Sequence, residues 1–83
     1  MVFLALTRLG FEEFEALRKA GAKLALWVNT GVLIADELAR LRAGGLSVTD
    51  FVRPIDPADH AAVAAAVDTI REHHPGKRVW VES

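Results

Sequence analysis

Apolar residues along the chain fall into short continuous runs separated by amphipathic stretches, and the two kinds of segment alternate. Val2-Phe3-Leu4-Ala5-Leu6 contains no polar residue, which predicts a strand buried on both faces. Gly10 then opens an amphipathic helix, Phe11 to Ala20, in which Phe11, Phe14 and Leu17 recur at every third position. Glutamates in its first turn and Arg18 and Lys19 in its last suit the helix dipole. Glu15 and Lys19 stand four apart as a favourable pair, and Gly21 is a natural stop. Lys23 to Val28 forms the second strand and ends at the turn Asn29-Thr30-Gly31. A second helix is expected from about Val32 to Arg42, with Ile34, Leu38 and Leu41 on one face, closed by Gly44-Gly45. Leu46 to Val52 is a more alternating third strand.

The clearest local signal is Asp56-Pro57-Ala58-Asp59, which predicts an N-cap at Asp56, a proline in the first helical position and an acid two residues later. The helix it opens runs to about His73, with Val63, Val67 and Ile70 on one side among many alanines. Pro75-Gly76 ends it, and Arg78 to Glu82 is the last strand. The order β-α-β-α-β-α-β predicts a four-stranded parallel sheet with right-handed crossovers, in a two- or three-layer α/β arrangement. Residue parity suggests unlike sheet faces. Val2, Leu4, Leu6, Leu24, Leu26, Val28, Val79 and Val81 make an aliphatic set, and Phe3, Trp27, Phe51 and Trp80 an aromatic one. A flavodoxin-like strand order 2-1-3-4 sets the first helix alone on the aromatic face and is preferred to a one-sided 1-2-3-4 sheet. One helix is ~10 Å wide and strands lie ~4.8 Å apart, so part of the aromatic face is expected to stay bare. Phe3, Trp27, Phe51 and Trp80 are therefore the candidate interface residues, Trp80 above all.

The chain has 83 residues, enough for one α/β domain spanning residues 1–83 with a small core. Hydrophobic residues make up 52% and charged residues 25%, a balance that predicts an ordered globule. The net charge is −1, and Arg8, Arg18, Lys19 and Lys23 are interleaved with Glu12, Glu13 and Glu15. A nucleic-acid partner is accordingly not expected, because such partners call for a basic face. There is no cysteine, which excludes disulfides, thiolate nucleophiles and cysteine-ligated zinc. The longest apolar runs are strand-sized, and the opening residues lack the basic region of a secretion signal. A cytoplasmic protein with no membrane association is the expectation.

Open parallel sheets bind ligands beyond the carboxyl ends of their strands. Those positions hold Thr7 and Arg8, then Asn29, Thr30 and Gly31, then Arg53 and Asp56, with Glu82 and Ser83 ending the fourth strand. Thr7, Arg8, Asn29, Thr30, Gly31 and Arg53 are the candidate ligand residues for a phosphate or carboxylate. Turn and cap chemistry explains the same residues more simply. The first strand-to-helix turn, Thr7-Arg8-Leu9-Gly10, carries neither a three-glycine dinucleotide pattern nor a P-loop. It also lacks the acidic residues of a receiver domain and the cysteine of a phosphatase of similar topology. His73 and His74 are adjacent and diverge on a helix, and His60 lies ~20 Å away, so no metal site is expected. No catalytic group and no cofactor is assigned. The leading expectation is a non-enzymatic interaction domain that forms a homodimer or meets a protein partner. A small anionic ligand or nucleotide on the sheet rim is the alternative.

Overall fold

The computed structural model describes residues 1–82, and Ser83 lies outside the described residues. Seven elements alternate along the chain: β1 (Val2–Ala5), α1 (Arg8–Lys19), β2 (Ala25–Val28), α2 (Ala35–Ala43), β3 (Val48–Asp50), α3 (His60–His73) and β4 (Val79–Val81). The four strands form one sheet in which every pair is parallel, as the alternation of elements predicts.

The strand order is β3-β2-β1-β4, which corrects both the expected 2-1-3-4 and the one-sided 1-2-3-4. The chain moves outward from β1 to β2 to β3, then returns to add β4 on the far side of β1. Right-handed crossovers therefore set α1 and α2 on one face and α3 on the other. On the first face Phe3, Ala5, Leu26, Val28 and Val48 pack with Phe11, Phe14 and Leu33. Phe3 and Phe14 are both fully buried, with ring centroids 5.7 Å apart. On the second face Val2, Leu4, Leu6 and Trp27 pack with Ala66 and Ile70 of α3.

Register corrects the expected division into aliphatic and aromatic faces. Phe3 pairs with Leu26 and Trp80, while Leu4 pairs with Trp27 and Val81. Phe3 and Trp80 thus share the α1/α2 face, and Trp27 and Phe51 belong to the α3 side. A strand apolar at every position carries no polar alternation to say which parity meets which neighbour, and a one-residue shift exchanges its faces.

Helix starts also differ from the expected ones, whereas the helix ends match, α3 closing at His73 as expected. α1 begins at Arg8 with Thr7 as N-cap, so Gly10 lies inside the helix and no glutamate falls in its first turn. Glu15 pairs with Arg18, at 2.8 Å, where Lys19 was expected. Residues 30–33 form a turn and bend ahead of α2, and Ile34, placed by periodicity on the buried face, is 63% exposed. The cap of α3 is Asp59, whose side chain accepts from Ala62 N; Asp56 instead accepts from Ala58 N within a preceding turn. At the C-terminal ends, Gly21 and Gly45 adopt φ of 99° and 89°. Each supports a pair of reversed bonds, Ala22 N to Leu17 O and Gly21 N to Arg18 O in one, Leu46 N to Leu41 O and Gly45 N to Arg42 O in the other. Glycine is favoured there because side chains strain in this region of φ.

Candidate functional site

Two places follow from this topology: the carboxyl ends of the strands, where the order reverses between β1 and β4, and the outer edge of β4. The first is filled by the chain itself. The Glu82 carboxylate, just past β4, accepts hydrogen bonds from Leu6 N and from Thr7 N through Oε1. Its Oε2 accepts from the Thr7 hydroxyl at 2.7 Å, and the Thr7 Oγ1 in turn accepts from Gly10 N. A negative group therefore occupies the position in front of α1 where an anionic ligand would be held. Gly10 belongs to the same arrangement, since a Cβ there would overlap the Glu82 carboxylate.

Most of the other predicted ligand residues are also committed within the chain. Arg8 turns away from the strand ends toward α2, where it meets Glu37 at 2.8 Å, donates to Val32 O and lies over the Phe11 ring. The hydrogen bond from Arg8, together with one from Ile34 N, holds the Glu37 carboxyl below the usual carboxylate range; reciprocally Glu37 raises Arg8. Asn29 is buried and uses its whole amide. Its Nδ2 donates to Leu6 O and Ile55 O, and its Oδ1 accepts from Thr30 N and Ile55 N. Thr30 donates its hydroxyl to Phe51 O, and Gly31 turns the chain at φ 81°. Arg53, exposed on the loop from 51 to 59, has no side-chain partner among the described residues. The fold thus brings Thr7 and Asn29 to adjacent strand ends, pulls Arg8 aside and leaves Arg53 in solvent.

The four candidate interface residues separate in burial as well as in face. Phe3 and Trp27 are core residues and Phe51 is half-buried. Trp27 packs against Phe51 and against His73 of α3, each ring 5.3 Å away. Its indole N–H donates to His74 Nε2 at 3.1 Å, which requires that nitrogen to be unprotonated. The adjacent histidines therefore close the second core, and among the described residues no three acids or histidines converge as metal ligands. Trp80 alone of the four is exposed, at 46%.

Glu82 and Glu37 are the functional-looking residues that sequence reasoning undervalued. The usable signal was a carboxylate one residue past a strand at the reversal point, but finding it required knowing that β4 lies beside β1. Comparison with protein-family models, curated proteins and solved structures finds no match to this chain. Among the described residues no helix is long and apolar enough to cross a membrane.

Proposed function

We propose that this protein is a soluble, cytoplasmic, non-enzymatic interaction domain that self-associates through the β4 side of its sheet. The supporting observation is Trp80. It lies on the α1/α2 face of an edge strand, beyond the β1–β2–β3 stretch that those two helices serve, and remains 46% exposed. Burial of that exposed part, of order 100 Å², contributes roughly 2–3 kcal/mol per copy, enough to weight a weak dimer. The alternative, a small anionic ligand at the strand ends, has less support because Thr7, Arg8, Asn29 and Thr30 already bond within the chain. Sedimentation velocity from ten to several hundred micromolar tests the proposal. The wild type is expected to shift from monomer toward dimer, and Trp80→Arg to stay monomeric. A wild-type chain that sediments as a monomer throughout overturns it.

A further inference from the structure

Resting on that reading, we infer that two copies join edge to edge, β4 against β4, antiparallel about a two-fold axis at Trp80, to make one continuous eight-stranded sheet. The argument begins with the backbone of β4. Arg78 O accepts from Val2 N, and Glu82 N donates to Leu4 O, so residues 78 and 82 direct their polar groups toward β1. Alternation along a strand turns the N–H and C=O of Val79 and Val81 the other way. Among the described residues no strand lies on that side, because β4 ends the sheet. The open edge is therefore short and carries two outward donors and two outward acceptors.

An antiparallel copy with Trp80 opposite its symmetry mate satisfies all of them together. Val79 then faces Val81 of the second copy, and Val81 faces its Val79, each pair exchanging two main-chain hydrogen bonds. Trp80 becomes the closely spaced, non-hydrogen-bonded pair at the axis, and the two exposed indoles meet on the same face. Arg78 falls opposite Glu82 of the other copy, twice, on that same face. Arg78 is exposed, and Glu82, though committed to Leu6 and Thr7 of its own copy, carries a negative charge, so opposite rather than like charges lie at the two ends of the joint. A shift that centres the pairing on Val79 requires the Lys77 N–H, which already donates to His74 O at 3.2 Å. In-register parallel pairing sets Arg78 against Arg78.

Two measurements on the full chain decide the matter. In amide hydrogen exchange followed by NMR, Val79 and Val81 are expected to gain at least tenfold protection as concentration rises through the association range, with Ala25 and Leu26 as unaffected references. Because the chain lacks cysteine, Trp80→Cys provides a clean register test at high concentration. Its Cα atoms fall ~4.5 Å apart at the axis and oxidise to a disulfide dimer, while Arg78→Cys, ~14 Å from its mate, does not. A wild-type dimer whose Val79 and Val81 amides exchange as in the monomer overturns edge pairing while leaving self-association intact. Cross-linking of Arg78→Cys as fast as Trp80→Cys overturns the antiparallel register. Absence of any dimer overturns the parent proposal itself.

Discussion

Gly10 is the third residue of α1, a position where alanine ordinarily stabilises a helix by about 0.5–1 kcal/mol over glycine. Here the methyl group meets the Glu82 carboxylate, the acceptor for Leu6 N, Thr7 N and the Thr7 hydroxyl. That side chain is flexible, so Gly10→Ala displaces it rather than blocking the fold, and the Leu6–Thr7 turn loses the hydrogen bonds that the far end of the chain supplies. Loss of hydrogen bonds to a charged acceptor costs about 1–2 kcal/mol. Gly10→Ala is therefore expected to be neutral or destabilising in the wild-type background. In a Glu82→Ala background, where the carboxylate no longer stands in the way, the same change is expected to stabilise by about 0.5–1 kcal/mol. Urea unfolding of the four proteins in this cycle measures the difference, and purely additive effects would refute the coupling of Gly10 to the Glu82 carboxylate.

At the level of elements, one buried amide joins three segments. Asn29 links the end of β1 through Leu6 O, its own turn through Thr30 N, and the loop before α3 through both polar groups of Ile55. Asn29→Ala leaves these main-chain groups without their partner and is expected to cost roughly 2–4 kcal/mol. Asn29→Asp preserves shape but turns a carboxylate oxygen toward the two carbonyls of Leu6 and Ile55, and is expected to be no better. A urea midpoint for either variant within experimental error of wild type would show that the loop does not depend on this clamp. The same residue marks how much of the molecule was legible beforehand. Element order, the parallel sheet and the glycine stops at Gly21 and Gly45 follow from local pattern, because turn chemistry and apolar runs act over a few residues. Strand order does not. It depends on whether the chain after Asp50 crosses back over the sheet, a choice made by long-range contacts such as Asn29 to Ile55 and Trp27 to His74. Face parity failed for a related reason: β1 and β2 are apolar throughout, so only their register tells that Phe3 meets Leu26 and Leu4 meets Trp27. Thr7 and Asn29 stand at adjacent strand ends, yet the engagement of Thr7 by Glu82 and of Arg8 by Glu37 lay hidden in the same unseen topology.

The whole molecule is small, and its Cα radius of gyration of 11.9 Å is what a compact chain of this length should have. Small folds bury a modest share of their surface and gain correspondingly from association. If the native state is the β4-paired dimer, each unfolding event also separates two copies, and mass action ties stability to concentration. Over a range in which the native protein stays dimeric, a hundredfold increase in concentration adds about 1.4 kcal/mol per chain. For a domain of this size that raises the apparent Tm by roughly 5–10 °C. Trp80→Arg introduces two like charges at the axis and removes the apolar anchor, so its Tm is expected to be independent of concentration. The comparison is internal to each protein, which separates association from any change the arginine makes to monomer stability. A flat Tm in the wild type across the concentrations where sedimentation detects dimer would mean that the copies separate before they unfold, so that the contact is too weak at the melting temperature to act as a continuation of the sheet.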